Sequence, residues 1–213
     1  MTGAGPARNR VSPDGDITAA PGRGAWMGNR GRLHEGAGTR DIVRDHQNKA
    51  WLTCALSFRG RRVPQWQPGR YTPLFFLDEA VALAAGHRPC AECRHEAFLA
   101  FARALAESDG GGPRLRAREI DARLHAERAR DGQRRRLLSE LPWDGLPDGA
   151  FVIAGNDPAV VSGGHLTRYD RASNAYGGRE PRPGAGMAAV LTPPSAITVL
   201  RAGYPVQIAD EAR

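Results

Sequence analysis

Cys54, Cys90 and Cys93 are the residues of this chain best suited to chemistry. Cys90-Ala91-Glu92-Cys93 sets two thiols at the spacing with which a tight turn opening a helix grips one tetrahedral zinc ion. Thioredoxin-like redox enzymes use the same spacing, but within a βαβ pattern. Here a helix-forming run and the turn Gly86-His87-Arg88-Pro89 come first, which favours a metal over redox exchange. Two buried cysteines without a ligand are the remaining alternative. An odd cysteine count argues against a disulfide framework, and the N-terminus has no apolar leader core. The chain is read as cytoplasmic.

A second constellation follows. Asp121, His125 and Arg128 fall at i, i+4 and i+7 of a predicted helix and so share one face. A carboxylate can orient an imidazole as general base, and a nearby arginine can hold phosphate. The alternative is a solvated, salt-bridged face, to which Glu119, Arg123, Glu127 and Arg130 would belong. Candidate phosphate contacts are Arg59, Arg61 and Arg62 after the first predicted strand, and Arg134, Arg135 and Arg136 in a basic run. Trp51 and Trp66 are of a type that stacks on bases, although Trp51 also suits a core. Gly163-Gly164-His165, with Arg168 beyond it, reads as part of a pocket or as a polar turn. No phosphate loop of the Gly-Lys-Ser/Thr type occurs.

The elements that must position these residues are legible in outline. Residues 1–24 are rich in Gly, Pro, Arg and Asp and read as a disordered tail. Residues 51–58 and 71–77 read as strands. Asp78 can cap a helix that Gly86 stops. A second helix is expected from Cys90 to Glu107 and a third over residues 115–130. Residues 151–154, 159–161 and 188–191 read as short strands, and residues 196–202 as a terminal helix. The expected fold is α+β: a zinc-supported module with a strand hairpin and helices over residues 25–108, a charged helix and basic linker over 114–140, and a small β-rich region over 141–213.

The formal charge of +7 and pI near 10.1 suit a polyanionic partner, chiefly nucleic acid. Lys49 is the only lysine among 30 Lys and Arg residues, a bias that GC-rich coding also produces. No run of about 18 apolar residues suggests a membrane span.

The run Asp78-Glu79-Ala80-Val81-Ala82-Leu83-Ala84-Ala85-Gly86-His87-Arg88-Pro89-Cys90-Ala91-Glu92-Cys93-Arg94 resembles the Ada-type zinc-binding domain of alkylation repair. The pattern is a short strand, a helix ending in Ala-Ala-Gly, an aromatic position, then Arg-Pro-Cys-x-x-Cys. It is close over residues 71–94 and loose over 50–100. The resemblance implies Zn2+ held by the Cys90–Cys93 pair and two ligands from an upstream hairpin. Cys54 fits one upstream position. The family's other upstream cysteine has no counterpart, since Phe58 and Ala50 stand four residues either side of Cys54. A histidine is the natural replacement, with His34 as the fourth ligand and His46 as the alternative. His87 occupies the family's aromatic position. In the family an upstream cysteine also accepts methyl groups from DNA phosphotriesters, which would fall to Cys54 here. The functional expectation is a zinc-binding protein that binds or processes nucleic acid, DNA ahead of RNA, with mainly structural zinc. A non-catalytic protein-interaction or small-molecule-binding module is the alternative. If catalytic, the chain would be a phosphodiesterase-like or DNA-repair enzyme.

Overall fold

Burial of Val11 and Ile17 folds the N-terminal segment into a hairpin, β1 (Arg10–Val11) and β2 (Ile17–Thr18). The computed structural model describes residues 5–35, 41–60, 65–128 and 136–213. Strands β3 (Trp26–Asn29), β4 (Leu52–Cys54), β5 (Leu74–Phe76) and β6 (Arg88–Pro89) join the hairpin in a six-stranded sheet of order β2-β1-β5-β3-β4-β6. Strand β3 is antiparallel to both β5 and β4, whereas β6 runs parallel to β4 at the edge.

Helix α1 (Glu79–Ala84) connects β5 to β6 and is buried along its whole length. The Asp78 side chain caps it, accepting from the Val81 amide at 2.8 Å. The same carboxyl accepts from the Tyr176 hydroxyl and the Ala209 amide, tying the helix start to the C-terminal half. At the other end the Gly86 amide donates to Leu83 O and the His87 amide to Ala82 O, the two bonds of a Schellman stop. Gly86 has φ +83°, and a Cβ there would meet Arg128 Cδ at 2.8 Å. Both facts require glycine.

Helices α2 (His95–Ser108) and α3 (Ala117–Glu127) precede a second sheet. Its strands are β7 (Ser139–Pro142), β8 (Phe151–Ala154), β9 (Asp157–Ser162), β10 (His165–Asp170), β11 (Ala175–Pro181) and β12 (Met187–Val190). They lie in the order β11-β10-β9-β8-β12-β7, with every neighbour antiparallel. Helix α4 (Pro194–Arg201) closes the chain against α2 and α3. One core joins the sheets through α1, with Val11, Leu74, Phe76 and Val81 against Phe151, Val160 and Tyr169. Another joins the helices, with Phe101, Leu105, Ile120 and Leu124 against Val199 and Leu200.

The expected architecture is therefore corrected. Two six-stranded sheets share the chain, and the second fills its C-terminal half rather than forming a small β-rich appendix. The physical reason lies in the strands that period-2 patterning misses. β1 and β2 are two residues each in a Gly- and Asp-rich context, inside the segment read as a disordered tail. β11 is polar and mostly exposed along its length. Helix α2 also begins at His95, not Cys90, because residues 91–94 form a turn. Among the described residues no helix is long and apolar enough to cross a membrane.

Candidate metal centre

The chain brings Cys54, Cys90 and Cys93 together through strand register. Leu52 pairs with Arg88 and Thr53 with Pro89, so the next residues on each strand, Cys54 and Cys90, emerge side by side. The Arg88 amide donates to Trp51 O and the Cys90 amide to Thr53 O. Pro89 falls between these two bonds, where no donor is needed, and an edge strand tolerates it. The turn after Cys90 returns Cys93 to the same point, and the Arg94 amide donates to Cys90 O at 3.1 Å. The three sulfurs lie within 4.8 Å of one another. Tetrahedral thiolates at zinc–sulfur distances of about 2.3 Å stand about 3.8 Å apart. The trio therefore needs only small side-chain adjustment to hold a metal ion.

The surroundings favour the thiolate at Cys90 and the thiol at Cys54 and Cys93. The Cys54 thiol hydrogen-bonds to the Cys90 sulfur, which with burial and the neighbouring sulfurs pushes Cys54 above the ordinary thiol range. The same bond, with the amides of Cys93 and Glu92 against the cost of burial, pulls Cys90 down to about 5. Burial raises Cys93, opposed by a hydrogen bond from the Ala55 amide. Without a metal the cluster holds one thiolate and two thiols, since three like charges at this spacing repel. A bound cation would displace the remaining protons.

Two buried ion pairs fix the loop on either side. Arg88 makes a bidentate pair with Asp121, Nε–Oδ1 2.8 Å and Nη2–Oδ2 2.9 Å. Arg94 reaches Glu79 at 2.6 Å and stacks over Trp26 at 4.0 Å. Glu79 also accepts from the Tyr204 hydroxyl and the Gln207 amide. Arg88 and Arg94 adjoin the motif, yet their roles are not legible in the sequence. Their carboxylate partners are remote in sequence.

The expected histidine ligands stand elsewhere. His34 is buried, its Nδ1 2.6 Å from the Thr72 hydroxyl and its Nε2 3.2 Å from Gln67 O. Both ring nitrogens are thus committed, and Trp66 packs edge-on against the ring. His46 is exposed beside Trp51 and His125. Neither belongs to the three-cysteine group, so among the described residues no histidine stands as fourth ligand. The segments outside the described residues contain no cysteine or histidine either.

The face of Asp121, His125 and Arg128 is also divided differently from the expectation. Asp121 is bound to Arg88 and does not orient His125. Arg128 donates to Gly86 O and Lys49 O, and its Nη2 lies 3.3 Å from His125 Nδ1. Arg128 and Arg30 cover the ring of Trp51, at 3.9 and 3.8 Å from its centroid. Trp51 is buried, which suits a core more than base stacking. His125, His46, Trp51, Arg30, Asp45, Ala126 and Arg128 line a cleft of about 400 Å³.

Of the candidate phosphate contacts, Arg59 is exposed at φ +52°, its guanidinium 5.0 Å from the Phe58 ring centroid. Arg136 is close enough to Arg128 and His87 to disfavour the charged form of both. Arg61, Arg62, Arg134 and Arg135 lie outside the described residues. His165 and Arg168 sit on β10, where Arg168 pairs with Glu180 and His165 faces Arg179.

His87 is fully buried against Trp51 and Phe76, and its Nε2 accepts from Arg30 Nε at 3.1 Å. Burial first, then Arg30, Arg128 and Arg136, hold its pKa well below the ordinary 6.5. The unfolded chain takes up this proton before the folded one does. Stability is therefore complete above the unfolded value and declines as pH falls below it. One such histidine gives a slope of up to about 1.4 kcal/mol per pH unit. Urea unfolding from pH 7.5 to 5 should show the decline, with a shallower slope in His87→Gln. Equal slopes in the two proteins would remove His87 from the account.

No protein-family model, curated protein or solved structure matches this chain.

Proposed function

We propose that this is a zinc-binding protein that acts on or alongside nucleic acid, with zinc in a structural role. The convergence of three sulfurs within 4.8 Å on a strand edge and its adjoining turn carries the reading. Zinc suits an all-sulfur donor set, and the resemblance of residues 78–94 to the Ada-type domain supports the same ion. Bound there, the metal would tie β4 to the turn before α2. Cys54 is 8% exposed, which leaves little access for a bulky DNA phosphotriester and disfavours a methyl-acceptor role. The +7 charge and exposed Arg59 support a nucleic-acid partner, DNA ahead of RNA.

The zinc-loaded full chain should bind a DNA duplex at low salt in a filter-binding assay, and affinity should fall steeply between 50 and 200 mM salt, as phosphate contacts require. Arg59→Ala should weaken binding across sequences and reduce the salt slope by about one. Absence of DNA and RNA binding at low salt would discard the nucleic-acid reading while leaving the metal site standing.

A further inference from the structure

We infer that the cleft between His46, Trp51 and His125 is a binding site for a phosphate monoester, built from two guanidiniums held at fixed positions and two imidazoles at its mouth. The inference rests on this cleft alone and is independent of the metal site.

The positive charge there is rigidly placed. Arg30 and Arg128 are 1% and 5% exposed and sandwich the Trp51 indole. Arg30 is anchored by His87 Nε2 and Gly15 O, and Arg128 by Gly86 O and Lys49 O. Among the described residues no carboxylate pairs with Arg128, and its Nε is buried without a hydrogen-bond partner. On the same helix Asp121 is consumed by Arg88, and Glu127 by Ser195 and Arg123. Burying an uncompensated cation is costly unless an anion or solvent faces it. The cleft is where an anion can do so.

The mouth supplies the hydrogen bonds. His46 and His125 have ring centroids 5.4 Å apart. Burial and the neighbouring guanidiniums keep both imidazoles toward the neutral form. With Arg128 donating to Nδ1, His125 carries its proton on Nε2 and can donate. Among the described residues Asp45 is the one carboxylate lining the cleft, and it is exposed. Two guanidiniums lie within 4 Å of the Trp51 ring centroid, which leaves the buried indole little face for a base or sugar. Recognition therefore falls on charge and on acceptor oxygens, which a dianionic phosphate monoester offers in greater number than a carboxylate or chloride.

The test is titration of the full chain with inorganic phosphate, followed through the imidazole signals of His46 and His125 by NMR, with sodium chloride at matched ionic strength as reference. Phosphate should shift both histidines saturably and chloride should not. The double variant His46→Ala/His125→Ala alters exposed and half-exposed side chains and should keep its melting temperature. It should weaken phosphate binding about tenfold or more, as expected for losing hydrogen bonds to a charged group. Oligonucleotides with and without a 5′-phosphate separate the sources of the group. Competition by the phosphorylated one places a nucleic-acid end in the cleft, and competition by a free phosphomonoester alone assigns a small molecule. Shifts of equal size with chloride, or unchanged phosphate affinity in the folded double variant, would overturn the inference.

Discussion

Asp121→Ala should destabilise the fold by about 3–5 kcal/mol, the cost of leaving a buried charge without its partner. The Arg88 side chain is 4% exposed and that of Asp121 10%, so little solvent can replace the lost carboxylate. Two parallel hydrogen bonds disappear together, leaving the guanidinium with Pro89 O and the Phe98 ring, 5.1 Å from its centroid. Asp121→Asn keeps the shape and one acceptor but not the charge, and should fall between the wild type and alanine. The effect should spread to the metal site, since Arg88 stands two residues before Cys90 on β6. Urea unfolding followed by circular dichroism measures the loss. A cost under about 1 kcal/mol, the range of exposed pairs, would show that this ion pair does not organise the region. The structural role also replaces the catalytic one expected for Asp121.

Removal of the metal should have the other large effect. A ligand that binds only the folded state stabilises it by about 4 kcal/mol at a thousandfold excess over its dissociation constant. In a chain of this size that corresponds to a melting temperature lower by about 10 °C in the chelated protein. The loss should be local in origin. The amides of Ala55, Glu92 and Cys93 donate to the sulfurs, so hydrogen exchange should accelerate there first. The cores around Phe76 and Phe101 lie in separate clusters and should hold their protection longer. Cys90→Ser should reproduce the chelated state and be insensitive to added zinc. A melting temperature indifferent to both chelator and Cys90→Ser would mean that no metal supports this fold.

What could be read from the sequence depended on how local the physics is. The capping of α1 by Asp78 and its stop at Gly86 are written within one helical turn, and both are observed. The Cys90–Cys93 spacing is equally local. Placing Cys54 beside them needed a strand assignment, and β4 supplied it in a shorter form than expected. The histidines failed for a different reason. Spacing along the chain says nothing of which nitrogen is already taken, and His34 is held by Thr72 and Gln67 from across the fold. The Arg30–Trp51–Arg128 sandwich and the Arg88–Asp121 pair join residues far apart in sequence. Asp121, His125 and Arg128 share a helix face, but their partners come from other elements, Arg88 for Asp121 and Gly86 and Lys49 for Arg128.

Metal content of the purified full chain tests the central claim most directly. Zinc should be present at about one ion per chain, as a single site of three thiolates and one further ligand from outside these cysteines requires. It should be lost in Cys54→Ser, Cys90→Ser and Cys93→Ser, and kept in His34→Ala and His46→Ala. Protein that takes up no zinc under reducing conditions, or that keeps its zinc in the Cys90→Ser variant, would contradict the assignment of this centre.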